Sequence, residues 1–398
     1  MRTTRSIPAP RSRLLRSSRG EAVKFMSAEF ELLDRHMPGF EEAVRSIAFE
    51  QREGEGSNLL RLFKERGGVD TAIPKSHGGK GLDARELVMM QRAIGALSPS
   101  LAVATNMHQF SIATLVEMAK ASSGVEWMLL QAIAENGMLV ASAFAEGAPG
   151  ASILEPFLEA EIQGQDYILR GSKKPCSLSK SMDLITVSIR VPSEGGHRLA
   201  VALIPADAPG IRVESFWNSP ILKASESDEL VFDGVVVNEK MISYSGDKSE
   251  LDHVQLSGFV WFELLLTSSY LGAAGRMLEM LIDAPRASDA DLAFAASMLE
   301  CSASALMGLA TEFDASEDTA ARADLLGRIL LTRYATQDAI NAAVSRCSEA
   351  LGGMRFISDP EISYLLAATK ALAFHPPSRA SMLANIRGWL KGEAFSLC

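Results

Sequence analysis

Apolar residues between Glu29 and about Gly137 recur at helical spacing, as in Leu59, Leu60, Leu62 and Phe63 and again in Leu87, Val88, Met90 and Ile94. That period predicts an N-terminal helical domain over 28–137. Its longest interruption runs from Gly67 to Asp83, where Gly and Pro stop one helix and Asp83 is placed to cap the next. From Met138 to about Met241 the pattern shortens to β-rich runs at 139–144, 167–170, 184–191, 199–204 and 230–237, separated by turns. These predict a small antiparallel sandwich or barrel over 138–245. Strict βαβ alternation is absent, which disfavours a Rossmann reading. After Glu250 the helical period returns over 254–284, 287–313, 318–351 and 360–373, predicting a four-helix bundle over 246–398. Small residues such as Ala273, Ala274 and Gly275 suit close helix contact there. The predicted fold class is α+β, in the order helical domain, antiparallel β domain, bundle.

Composition narrows the function classes. The chain has 398 residues, 47% hydrophobic and 22% charged, enough to bury a large core divided among subdomains. A formal net charge of -10 argues against general nucleic-acid binding, which needs a basic surface. Cysteines at 176, 301, 347 and 398 show no CxxC spacing, and the six histidines form no HExxH pair. A reducing cytoplasm and no structural metal are therefore expected. No stretch reaches the roughly 18 uncharged apolar residues of a membrane span, so none is expected. The first 25 residues are rich in arginine but lack a signal peptide's apolar core, and 1–27 reads as a disordered basic tail. The glycine-rich pieces, including Gly352-Gly353, lack the spacing that cradles phosphate at a helix start.

One block changes the picture. Ile73-Pro74-Lys75-Ser76-His77-Gly78-Gly79-Lys80-Gly81-Leu82 resembles the "IPeeyGGxGl" turn of the acyl-CoA dehydrogenase superfamily. Ser98 to Ala102 with Thr105-Asn106-Met107-His108 resembles that family's helix running toward the flavin. Ser227 to Val237 resembles the stretch closing its β domain, and Ala350-Leu351-Gly352-Gly353 followed by Asp359-Pro360 resembles a late bundle motif. The likeness covers nearly everything after residue 29. It implies FAD between the β domain and the bundle, with a thioester on CoA or a carrier protein beside the ring. In the family a carboxylate takes the substrate α-proton while hydride leaves for flavin N5; such a base gains strength from an apolar, water-poor pocket. The resemblance also implies a homodimer or homotetramer.

Carried onto this chain, the flavin contacts fall on altered residues. The family's "TEPxAGSD" turn falls on Ala145 to Ser152, leaving the backbone of Phe144 and Ala145, with Ser152, as flavin contacts. Its tryptophan strand falls on Lys174-Pro175-Cys176-Ser177, where Ser177 keeps a hydroxyl for N5 beside Cys176. Arg286 is the substitute for the family's adenosine-binding arginine, Gly352 and Gly353 keep the late glycine pair, and Glu349 stands where a glutamine is usual. His108 is a further candidate facing the flavin.

The base itself has moved. His375 stands where the family's usual glutamate would, and Glu263 lies beside the place where some members carry theirs, inside the apolar run 259–266. Three readings stay open. The first is an acyl-thioester dehydrogenase using Glu263 and FAD with an unknown electron acceptor. The second is a flavin monooxygenase of the same superfamily using His375, oxygen and reduced FMN or FAD from a reductase; an imidazole with pKa near 6.5 suits proton transfer at neutral pH. The third is a non-redox thioester-binding or lyase-like module that has lost flavin.

Overall fold

A computed structural model describes residues 24–121, 124–147, 156–194, 196–245 and 252–397. The N-terminal domain comprises α1 (Ser27–His36), α2 (Phe40–Arg45), α3 (Phe49–Glu53), α4 (Leu59–Glu65), α5 (Ala84–Leu97), α6 (Pro99–Ala121) and α7 (Val125–Asn136). Asp83 caps α5 as its turn chemistry predicts, in a reciprocal box with Glu86 that satisfies two otherwise orphaned amides. The tail expected over 1–27 lies outside the described residues through 23, but its last residues are ordered. Met26 is buried and Phe25 lies under the Arg92 guanidinium.

The middle domain holds β1 (Val140–Ala143), β2 (Ala160–Gln163), β3 (Asp166–Cys176), β4 (Leu184–Ser193), β5 (Gly196–Pro205), β6 (Ile211–Glu214), β7 (Asp228–Asn238) and β8 (Ile242–Tyr244). They form two four-stranded sheets, ordered β1-β4-β5-β8 and β2-β3-β7-β6. The expectation of a wholly antiparallel domain is corrected at one pair, because β1 runs parallel to β4 from Val140↔Leu184 to Ala143↔Val187. That chain direction follows from α6 and α7, which deliver β1 to the edge of a sheet otherwise built by later hairpins. In β3 the register shifts between Lys173 and Cys176, where Pro175 has no N–H for the ladder. Beyond that shift Cys176 pairs with Asp228 and ends the strand, and Ser177 follows beside Ser227.

The bundle comprises α8 (His253–Ile282), α9 (Asp289–Ala315), α10 (Thr319–Leu351), α11 (Gly353–Ser358), α12 (Pro360–Ala368) and α13 (Leu383–Leu390), with a 3₁₀ segment over Thr369–Phe374. By length and composition α9 is apolar enough to cross a membrane, although Glu300 interrupts its apolar run as the sequence reading has it. In the structure it packs in the bundle, and its Glu300 pairs with Arg92 of α5.

Helices α5 and α8 touch backbone to backbone. A Cβ at Gly95 would lie 2.0 Å from the Ser269 carbonyl oxygen, and one at Gly272 2.0 Å from that of Arg92. The two glycines therefore set the interhelical distance, and no rotamer change relieves a contact with backbone. Gly272→Ala is expected to destabilise the protein by about 3 kcal/mol, read as a lower denaturant midpoint; an unchanged midpoint would show that the seam can open.

Candidate functional site

The flavin-contact segments expected from sequence come together at one edge of the β domain. Phe144 and Ala145 leave β1 half-buried, and the Ala145 carbonyl accepts the Lys174 N–H at 2.9 Å. Glu146 then accepts N–H groups from Phe157 at 2.7 Å and Leu158 at 3.0 Å, and it pairs with the fully buried Lys173. These contacts hold its carboxyl below the usual range against the opposing effect of burial. The β1 exit is thus bound to the strand that carries Ser177. Ser152 lies outside the described residues. Cys176 is fully buried and burial pushes its thiol up to about 12, so it acts by packing, not as a polar flavin contact.

Ser177 heads a chain of hydroxyls. Its Oγ lies 2.8 Å from Ser227 Oγ, which lies 2.7 Å from Ser225 Oγ, and Ser225 donates to the Leu222 carbonyl at 2.7 Å. The turn bearing these serines is anchored from the helical side. The Leu222 N–H donates to the Tyr364 hydroxyl at 2.8 Å, and Tyr364 donates to the buried carboxylate of Glu53. Glu53 also accepts the Ser98 hydroxyl and both the N–H and hydroxyl of Ser100. Burial raises its carboxyl, and the hydroxyl bonds oppose that rise. Sequence reasoning missed this anchor because α3 is too short to show a period.

On the bundle side the two expected catalytic residues meet through one arginine. Glu263 of α8 is fully buried, and Arg333 Nη1 of α10 donates to its two oxygens at 2.9 and 2.8 Å. Burial raises the Glu263 carboxyl to about 7, with the Arg333 charge opposing. Nη2 of the same arginine donates to the carbonyls of Leu372 at 3.0 Å and His375 at 2.6 Å, clamping the turn that carries His375. The imidazole Nε2 is 2.7 Å from the Tyr270 hydroxyl of α8. Burial, with Arg333 adding to it, pushes His375 down to about 3, which corrects the expectation of an imidazole poised near 6.5. Arg333 and Tyr270 were missed in the sequence. The signal was present: one arginine and one glutamate, each inside an apolar helical run, imply a buried pair.

The remaining candidates sit elsewhere. His108 is fully buried, with Nε2 donating to Val69 O at 2.8 Å and Nδ1 accepting from Val140 N at 3.0 Å. Both ring nitrogens serve the backbone, burial lowers the ring to about 4, and no nitrogen is left for a flavin. Arg286 is exposed on the α8–α9 turn, and Gly352 and Gly353 end α10 where a Cβ would meet nothing within 4 Å. No hydrogen bond or ion pair among the described residues ties these three to the β-domain segments. One α6 residue is anomalous: Asn106 is fully buried, yet neither its Oδ1 nor its Nδ2 has a partner among the described residues. It lies one turn from Phe110, which packs edge-on against Phe262 of α8. An orphaned amide of this kind implies a bound polar group or water.

The β1 exit at Phe144 and Ala145, tied to β3 through the Ala145 carbonyl, and the Ser177 hydroxyl lie together in the β domain, and the His375 imidazole is held rigidly from the bundle. Fold and site together define a flavin-dependent oxidoreductase of the acyl-CoA dehydrogenase superfamily. No protein-family profile matches the chain. It is 39% identical over 376 residues to isobutylamine N-hydroxylase of Streptomyces viridifaciens, covering 93% of this chain and 99% of that protein. Among solved structures, KijD3 bound to FMN and a dTDP-linked aminosugar superposes with a TM-score of 0.81 at 18% identity, covering 92% of this chain and 94% of KijD3. FMN-bound TdsC of Paenibacillus sp. A11-2 gives 0.78 at 18% identity, covering 93% and 99%. The chain belongs to the isobutylamine N-hydroxylase family, within the acyl-CoA dehydrogenase-like flavoproteins.

Proposed function

We propose that the protein is a flavin-dependent monooxygenase that hydroxylates the nitrogen of a small aliphatic amine. The balanced reaction is R–NH₂ + O₂ + FMNH₂ → R–NHOH + FMN + H₂O. The observation that carries this reading is the full-length similarity to an amine N-hydroxylase. The site supports it over thioester dehydrogenation, because the position of the usual glutamate holds His375 and both oxygens of Glu263 face Arg333. FMN is favoured over FAD because the structural neighbours KijD3 and TdsC were solved with FMN bound. Reduced FMN, delivered by a separate reductase, supplies the two electrons that activate oxygen.

The chain's own residues supply the rest. The backbone at Phe144 and Ala145 binds the ring edge, and Ser177 faces N5. Asn106 offers the amine an acceptor at Oδ1 without a negative charge. That distinction matters, because a carboxylate there would favour the ammonium form, whose nitrogen has no lone pair to react. The carboxylate on the facing helix, Glu263, is neutralised by Arg333. Phe110 and Phe262 exclude water beside it.

The test combines protein, chemically reduced FMN, oxygen and a short-chain primary amine, followed by mass spectrometry. The expected product is the hydroxylamine carrying one oxygen atom from ¹⁸O₂. Absence of that product across primary amines, together with flavin-linked oxidation of an acyl thioester, would replace this reading with the dehydrogenase.

A further inference from the structure

We infer that Ser225, Ser227 and Ser177 form a directional hydroxyl relay that selects reduced over oxidised flavin. This rests on the flavin placement proposed above. Each hydroxyl has one proton to donate. Ser225 gives its proton to the Leu222 carbonyl at 2.7 Å, so its Oγ can only accept along the 2.7 Å contact to Ser227. Ser227 therefore donates to Ser225, and its own Oγ accepts the proton of Ser177 across 2.8 Å. The direction is locked from the buried end: Ser225 is fully buried, Ser227 nearly so, and Ser177 half-buried. Ser177 is left offering only lone pairs outward.

Flavin N5 changes character with redox state. In the reduced ring it carries a hydrogen and donates; in the oxidised ring it is a bare acceptor. An Oγ that can only accept pairs with the first and faces the second lone pair to lone pair. The geometry thus assigns Ser177 as the residue that reads the redox state, and Ser225 and Ser227 as positioning residues that act through it. The device suits an enzyme that must capture reduced flavin and release it once oxidised.

The turn is rigid enough to hold this direction. Leu222, whose carbonyl terminates the relay, has its N–H fixed on Tyr364, and Tyr364 is fixed on Glu53. Leu178 N and Ser179 N donate to the carbonyls of Ser225 and Glu226, which hold the two serine segments together.

The experiment measures dissociation constants of the full-length protein for FMN and for anaerobically reduced FMN, and the midpoint potential of the bound flavin. Wild type is expected to bind the reduced form roughly 10- to 100-fold more tightly, the effect of one hydrogen bond gained against one acceptor left facing another. Each tenfold preference raises the potential by about 30 mV relative to free FMN. Ser227→Ala frees the Ser177 proton to turn outward, so the preference should fall to about onefold or reverse. Ser225→Ala should weaken it partially, and Ser177→Ala should give the baseline with neither donor nor acceptor. Equal binding of both forms by wild type, or a wild-type ratio retained in Ser227→Ala, would overturn the relay. The ratio and potential are read without turnover. A shifted ratio in a protein that hydroxylates no amine would leave the relay standing and reject the proposed reaction. An amine hydroxylase with an unshifted ratio would do the reverse.

Discussion

Arg333→Met is expected to lower the unfolding free energy by about 3–5 kcal/mol near pH 8, read from urea unfolding. The guanidinium is 1% exposed and donates to both oxygens of the fully buried Glu263. It also donates to the carbonyls of Leu372 and His375. Methionine restores much of the volume but leaves a buried carboxylate with no counter-charge and two carbonyls without their donor. The pH dependence has a definite sign. Burial raises the Glu263 carboxyl from the ordinary 4.5 to about 7, so between those values the folded chain holds a proton that the unfolded chain has lost. Stability contributed by that proton is complete below about 4.5 and is lost as pH rises through about 7. Without Arg333 the carboxyl rises further and the loss continues to higher pH. The deficit of the variant should therefore be smallest near pH 5 and largest near pH 8. Glu263→Leu combined with Arg333→Met should recover most of the loss. A double variant no more stable than Arg333→Met would show that the clamp on the 372–375 turn, and not the ion pair, carries the effect.

The same arginine marks what a one-dimensional reading reaches and what it does not. Glu263 is conspicuous in the sequence because a carboxylate interrupts an apolar run, but its partner lies 70 residues away on another helix. Only packing decides whether such a carboxylate is a base or half of a pair. The long helices α8, α9 and α10 and the central strands β3, β4, β5 and β7 were legible because each has one buried face repeated over many residues. The strands that were not legible are β2, β6 and β8, which lie at sheet edges. Their length is three or four residues, too short for a period to emerge, and apolar residues such as Ile162 and Val213 stand on exposed positions there. The parallel β1–β4 pair was hidden for another reason, since strand direction is set by the path of α6 and α7.

Site residues divide along the same line. His108 stood out by type, yet its ring nitrogens bond to Val69 and Val140, which come from two separate segments. Ser177 was visible through the resemblance, whereas its partner Ser227, 50 residues on, became meaningful only when the β3 register shift set the two side by side. The resemblance singled out the Ser177 segment; its contacts, made across strands, are ones that no local pattern encodes.

For His375 the expected result is a loss of at least about 100-fold in hydroxylation on substitution by alanine, with FMN binding changed little. Tyr270 is almost wholly buried, and burial keeps its phenol protonated. Its hydroxyl bonds to His375 Nε2 at 2.7 Å, so donating there is what keeps its proton from being buried unpaired. Nε2 must then accept, which places the ring hydrogen on Nδ1. Burial and the Arg333 charge push the imidazole down to about 3, so it is neutral throughout the neutral range. In the proposed reaction such a ring would offer a hydrogen bond from Nδ1 and would not cycle as a cation. Two consequences separate this role from that of an ordinary imidazole. The wild-type pH–rate profile should show no inflection between pH 6 and 7, where a histidine with pKa near 6.5 would produce one. Tyr270→Phe should release the tautomer and reduce the rate by roughly tenfold, yet add nothing to His375→Ala in the double variant, because both act through the same proton. An inflection near pH 6.5 that disappears in His375→Ala would show that the ring titrates during turnover and that its burial relaxes once flavin is bound.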